Sequence, residues 1–113
     1  MSDNDNECVI EILDDYAVVR LRGEVDLSWS QQVRRAILDA LGDTGKVGVE
    51  LSEVSYIDSS GIAALVEGFQ SARSRNQKFG LVAVSIAVMA VLQLARLDRV
   101  FPIFADLDAA REA

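Results

Sequence analysis

The chain opens on an alternating pattern. Cys8, Ile10 and Ile12 are interleaved with Glu7, Val9 and Glu11, the doublet Asp14-Asp15 interrupts, and a β-branched run over 16–21 ends at Arg22-Gly23. Period-two alternation on both sides of a short polar break predicts a β-hairpin. A short extended piece, Glu24-Val25-Asp26-Leu27, precedes Ser28, which forms an S-x-x-Q capping box with Gln31 and opens a helix. The apolar stripe of that helix is Trp29, Val33, Ile37 and Leu41, and Gly42 is its expected stop. Residues 46–51 predict a buried strand with Val47, Val49 and Leu51 on one face, and 52–57 a loop.

From Ser60 onward, Ile62, Leu65, Val66, Phe69 and Ala72 recur at helical spacing and predict an amphipathic helix. Residues 78–84 predict another strand, Ser85 a cap for a helix from 86 to about 96, 100–104 a short last strand interrupted by Pro102, and 106–113 a final helical turn or two. Hairpin strands followed by strands alternating with helices predict a single α/β domain. Its mixed sheet has four to five strands, covered by about four helices. There is no repeat or linker. Residues 1–6 are expected to form an acidic frayed tail and 7–113 the domain.

Composition narrows the function classes. The 113 residues carry 18 acidic and 11 basic side chains, no His and one Cys, for a net charge of −7. Residues 1–15 hold six acids and no base, which leaves 12 acids against 11 bases in 16–113, a nearly neutral body. With no basic stripe interleaved with aromatics, nucleic-acid binding is disfavoured. The lone Cys8 forms no intrachain disulfide, and the lack of His removes the ligands of an ordinary zinc or transition-metal site. A reducing cytoplasm is the expected compartment. The first 15 residues have neither the basic start nor the apolar core of an export signal. The longest uncharged stretch, 79–95, falls short of the roughly 20 residues a bilayer span needs.

Candidate chemistry concentrates in 51–65, Leu-Ser-Glu-Val-Ser-Tyr-Ile-Asp-Ser-Ser-Gly-Ile-Ala-Ala-Leu, a strand, a loop and a helix start carrying two hydroxyls. Two readings are open. Asp58 or Ser59 is simply the N-cap that satisfies first-turn amides, or one of the serines accepts a phosphoryl group. Gly61 either lets a kinase approach the hydroxyls closely or is a small residue required by helix packing. Ser59 beside Asp58 has no His to activate it, so hydrolytic catalysis is not expected. Gly42-Asp-Thr-Gly45 is too short for a phosphate-binding loop and reads as a turn. In the helix over 86–96, Val88, Val91, Leu92 and Ala95 form one stripe, but Ile86, Met89, Ala90 and Leu94 lie outside it. Such a helix is either covered by the last strand and C-terminal segment or presents a contact surface.

Three segments together resemble the STAS domain, the family named for sulphate transporters and anti-sigma factor antagonists. They are Gly23-Glu-Val-Asp26, the Asp58-Ser-Ser-Gly-Ile62 element after its strand, and Leu94-Ala-Arg-Leu-Asp-Arg-Val-Phe101. The resemblance runs from about Val9 to Phe104. It implies a non-enzymatic, phosphorylation-controlled module that binds an anti-sigma factor serine kinase and releases it when phosphorylated, with a serine phosphatase to reset the switch. The implied phosphoacceptor is Ser59, with Ser60 second. The expected partner surface comprises Asp26, Asp58, Ser59, Ser60, Gly61 and Ile62, and no cofactor is implied. A different member type, the subunit that binds the ATPase of a bacterial ABC-type lipid transport system, is the alternative. The apolar helix from Ile86 to Leu94 would then serve the ATPase, or a second copy of the chain.

Overall fold

A computed structural model describes residues 6–113, so most of the expected acidic tail lies outside the described residues. Asn6 itself is placed, and its side-chain oxygen accepts the Glu24 amide at 3.0 Å. The elements are β1 (Glu7–Leu13), β2 (Tyr16–Val25), α1 (Leu27–Thr44), β3 (Lys46–Ile57), α2 (Ser59–Ser74), β4 (Lys78–Val82), α3 (Ile86–Leu94), β5 (Ile103–Phe104) and α4 (Leu107–Glu112). A 3-10 turn, Leu97–Arg99, follows α3. One five-stranded sheet runs in the order β1-β2-β3-β4-β5. The hairpin pair is antiparallel, with Leu13 opposite Tyr16 across the Asp14-Asp15 turn, and every other pair is parallel. The α/β class and the mixed sheet are as the element order required.

Strand alternation divides the core between the two faces of the sheet. On one face Ala17, Val19, Leu21, Val47, Val49 and Leu51 meet Val33, Ile37 and Leu41 of α1, Leu65 of α2, and Val88 and Leu92 of α3. On the other, Tyr16, Val18 and Val82 meet Ala110 of α4, with Phe104 and Leu107 beside them. Burial on both sides is why 16–19 is a continuous apolar run rather than an alternating one. Trp29, expected in the α1 stripe, is only half-buried and stands outside the core cluster.

Several boundaries differ from the sequence reading, each for a local reason. Ser28 does not cap α1. Asp26 does, accepting the Ser28 amide at 3.0 Å and the Ser28 hydroxyl at 2.6 Å, because a carboxylate one position before the helix reaches the orphan donors directly. The piece 24–25 is the end of β2 rather than a separate strand. Gly42 lies on the exposed side of α1 and does not stop it. The helix continues to Gly45, whose φ of 74° supplies the left-handed C-cap, so 42–45 is a last helical turn. The predicted loop 52–57 is strand. Register shifts beside Arg20/Arg22 and Gly23/Glu24 break the period of two, letting Val54 and Ile57 turn inward where the sequence looked irregular. β4 stops at Val82, two residues early, and Ala83 takes φ 51°. α3 ends at Leu94 and Arg96 takes φ 60°. β5 is reduced to Ile103–Phe104, beyond Pro102.

Candidate functional site

Because β2, β3 and β4 are parallel, the helices that follow them all start at one end of the sheet, outside the strands' carboxyl ends. Two of these starts repeat the same local device. Asp26-Leu27-Ser28 and Asp58-Ser59-Ser60 each put an N-cap carboxylate first, an outward residue second, and third a serine whose hydroxyl donates to that carboxylate at 2.6 Å. Asp58 Oδ1 also accepts the amides of Ser60 at 2.9 Å and Gly61 at 3.1 Å. The Asp58 amide donates to the Val25 carbonyl at 3.2 Å, tying the start of α2 to the end of β2 and hence to α1. The third start is capped by Ser85. Its hydroxyl accepts the Val88 amide at 3.2 Å and donates to the Val54 carbonyl at 2.7 Å.

The two candidate hydroxyls differ in this setting. Ser59 is exposed, and among the described residues its hydroxyl has no side-chain hydrogen bond. Ser60 is half-buried, its proton held by Asp58, and it lines a cleft between α1 and α2 with Ser30, Arg34 and Glu67. The Ser60 hydroxyl and the Gly61 amide hold the Asp58 carboxyl below the ordinary carboxylate range, with smaller help from the Ser60 and Leu27 amides. Asp58 is therefore an anion at neutral pH, directly beside Ser59.

The remaining predicted site residues separate into exposed and internal ones. Asp26 sits at the neighbouring helix start and Ile62 is half-buried against the core. Gly61 is buried. A Cβ there would lie 2.7 Å from Ile57 Cγ1 and 2.9 Å from the Val25 carbonyl oxygen, so packing, not access for a kinase, is what requires glycine. The sequence reading did not single out Leu27, which occupies in α1 the position Ser59 occupies in α2 and is 74% exposed. Nor did it single out Tyr56, half-exposed near the end of β3. The signal that could have found Leu27 was the repeated Asp-x-Ser, one copy of which was misread as a cap on Ser28.

The apolar helix is covered on one side only. Val88 and Leu92 are buried, whereas Ile86 and Leu94 are 91% and 88% exposed and Ala90 is also open. Ala95, expected in the buried stripe, is exposed because α3 has already ended. The C-terminal helix does not cover α3, since it packs on the opposite face of the sheet.

The profile of the STAS domain family matches residues 7–110. The chain belongs to the STAS domain family. Among its relatives is the anti-sigma-B factor antagonist of Listeria monocytogenes, 28% identical over 90 residues that span 79% of each chain. A crystal structure of an anti-sigma factor antagonist from Mycobacterium paratuberculosis superposes with a TM-score of 0.84 at 27% identity, covering 95% of this chain and 92% of that one. The Bacillus cell fate determinant SpoIIAA in its phosphorylated form shares the fold, with a TM-score of 0.74 at 22% identity over 94% of this chain and 97% of that one. The five strands and four helices are thus those of a STAS domain. Among the described residues no helix is long and apolar enough to cross a membrane.

Proposed function

We propose that this protein is an anti-sigma factor antagonist, a binding module that holds an anti-sigma factor serine kinase and lets it go when Ser59 is phosphorylated. The observation that carries the reading is the contrast between the two serines. Ser59 presents an uncommitted hydroxyl at a helix start, while the Ser60 proton is held by Asp58. In the phosphorylation step Ser59 Oγ attacks the γ-phosphorus of ATP, the bond to the ADP oxygen breaks, and the serine proton passes to a base on the kinase. A serine phosphatase would reverse the change. The matching profile and the named relatives support the same role.

The chemistry explains why binding is the controlled quantity. A phosphate adds about −1.5 to −2 charge, here beside the Asp58 carboxylate and near Asp26. A partner covering Asp26, Asp58, Ser59, Ser60 and Ile62 would have to desolvate that concentrated charge, so affinity falls. Gly61 supports this surface from beneath. The chain acts by association rather than turnover. It contains no His, and the two serine hydroxyls that touch a carboxylate, Ser28 on Asp26 and Ser60 on Asp58, each serve as part of a helix cap. The expected compartment is the cytoplasm, where such kinases and sigma factors meet.

Incubation with the cognate kinase and ATP, followed by mass-spectrometric mapping, tests the assignment. Phosphate on Ser59 is expected, Ser59→Ala should hold the kinase constitutively, and Ser59→Asp should bind at least about tenfold more weakly, a difference of about 1.4 kcal/mol. Phosphate confined to Ser60, or equal binding by both variants, would overturn it. The transporter-subunit alternative rests on the open side of α3. Capture of a transporter ATPase indifferent to Ser59→Asp would favour it.

A further inference from the structure

The hairpin leaves one strand edge open. β1 is the outermost strand of the sheet, and among the described residues nothing pairs with its far side. We propose that this edge binds the same edge of a second copy of the chain, the two β1 strands running antiparallel about a two-fold axis at Ile10 and joining two sheets into one. The contact uses none of the residues around Ser59 and is independent of the reading given to them.

Backbone geometry exposes the donors. A two-residue turn closes on a hydrogen-bonded pair, here Leu13 and Tyr16, and such pairs then alternate along an antiparallel ladder. Glu7, Val9, Glu11 and Leu13 therefore bond β2, whereas the amides and carbonyls of Cys8, Ile10 and Ile12 point outward. Proteins ordinarily blunt such an edge with Lys, Pro or a bulge. β1 carries neither residue, and its pairing with β2 runs without a register shift. Its two acids are engaged within the hairpin, Glu11 by Arg20 at 3.0 Å and Glu7 by Arg22 at 3.9 Å. Ile10 and Ile12 remain 43% and 51% exposed beside the half-buried Cys8, on the sheet face that α1 covers.

Charge fixes the partner and the register. Centring the pair on Ile10 sets Glu7 opposite Leu13, Cys8 opposite Ile12 and Val9 opposite Glu11, so all 7 residues pair and no carboxylate faces another. Centring it on Val9 sets Glu7 opposite Glu11, and centring it on Glu11 sets that residue opposite itself. A parallel, in-register pair would stack both acids on their own copies. Like charges directly opposed destabilise a ladder, and a slip of one residue would turn the isoleucines of one copy to the other face. The strand is thus complementary to itself in one antiparallel arrangement, which a two-fold axis satisfies. The other edge strand, β5, has only 2 residues, so assembly stops at two copies.

Sedimentation of the full chain from about 5 μM to about 1 mM should show a monomer–dimer equilibrium with a Kd of about 100 μM or tighter. Over that range amide exchange should slow about fivefold at Cys8, Ile10 and Ile12 and stay unchanged at Val9 and Glu11. Ile10→Lys, at an exposed position, should weaken the dimer at least about tenfold with circular dichroism unchanged, whereas Leu94→Ser on α3 should leave it intact. In a Cys8→Ser background, Ile10→Cys should cross-link with oxidised glutathione at least about tenfold faster than Ile12→Cys, because only at the axis do equivalent Cα atoms lie about 5.5 Å apart, within disulfide reach. A monomer at every concentration, exchange that slows without the alternation, a dimer lost in Leu94→Ser but kept in Ile10→Lys, or equal cross-linking by the two cysteine variants would each overturn the proposal.

Discussion

Gly42 and Gly61 both sit inside helices, and the same substitution should move stability in opposite directions at the two. Replacing a helical glycine by alanine ordinarily stabilises by roughly 0.5–1 kcal/mol, because the unfolded chain loses freedom. At Gly42 nothing lies within 4 Å of the added methyl, so Gly42→Ala should show that gain undiminished. At Gly61 the methyl would stand 2.7 Å from Ile57 Cγ1 and 2.9 Å from both Val25 Cγ1 and the Val25 carbonyl oxygen. The carbonyl belongs to the strand that receives the Asp58 amide and cannot rotate away, so the first turn of α2 must lift. Overpacking of this kind costs about 1–3 kcal/mol. With backbone as the obstacle the upper part of that range applies, and a net loss of about 2 kcal/mol remains after the propensity gain. For a domain of this size that is a fall in Tm on the order of 10 °C, readable by calorimetry or by the urea midpoint at constant m. A Gly61→Ala variant as stable as the parent would refute the packing account of that glycine. Loss of stability in Gly42→Ala would show instead that α1 ends there, as the sequence alone suggested.

Three further expectations concern titration and charge. The Asp58 carboxyl is held low in the fold, so folding favours its ionised form. Its stabilising effect is fully present above the ordinary carboxyl value of about 4 and is lost as pH falls below it toward the folded value. Asp58→Asn should therefore be less stable than the parent in urea at pH 7, and the gap should close in acid; a pH-independent gap would contradict the assignment. Burial pushes the Cys8 thiol up, so its alkylation by iodoacetamide at pH 8 should run slower than that of a free thiol and recover on unfolding. A native rate equal to that of the free thiol would show the side chain to be open. Arg34 Nε meets Glu67 Oε2 at 2.7 Å across α1 and α2, but both side chains are nearly half-exposed, so Arg34→Ala should cost only about 0.2–1 kcal/mol, less in high salt. A larger, salt-insensitive loss would show that the guanidinium stem, not the charge, is what packs there.

What the sequence disclosed depended on how regular the underlying geometry was. The β1–β2 hairpin and the stripe of α2 were legible because Cys8-Ile10-Ile12 and Leu65-Phe69-Ala72 keep their periods without interruption. The second half of β3 was not, since the bulges opposite Arg20–Arg22 and Gly23–Glu24 shift Val54 and Ile57 out of alternation with Leu51. Gly42 misled because an exposed helical glycine and a terminating one look alike in sequence. Only the φ of 74° at Gly45 tells them apart. The site was legible in its residues but not in its orientation. Asp58, Ser59 and Ser60 were evident as a group, whereas which hydroxyl faces out depends on Asp58 reaching over Ser59 to bond Ser60, a choice made by helix geometry.

The geometry also changes how a phosphate on Ser59 would be received. From sequence alone, a helix start offers bare amides and a positive dipole end that welcome an anion. In the fold the Asp58 carboxylate already takes the amides of Ser60 and Gly61, so much of that welcome is spent before any phosphate arrives. The incoming charge would meet a fixed like charge and few vacant donors, and because Ser59 is exposed it can turn into water rather than displace the cap. Folding stability should then change little, while the repulsion is left undischarged on the surface. A partner that covers the site must exclude that water, and only then does the interaction between phosphate and Asp58 rise to its low-dielectric strength. On the proposed reading the capping carboxylate thus has two consequences from one geometry. It fixes the first turn so that modification does not unravel α2, and it places beside Ser59 the charge that makes a phosphorylated surface costly to bury.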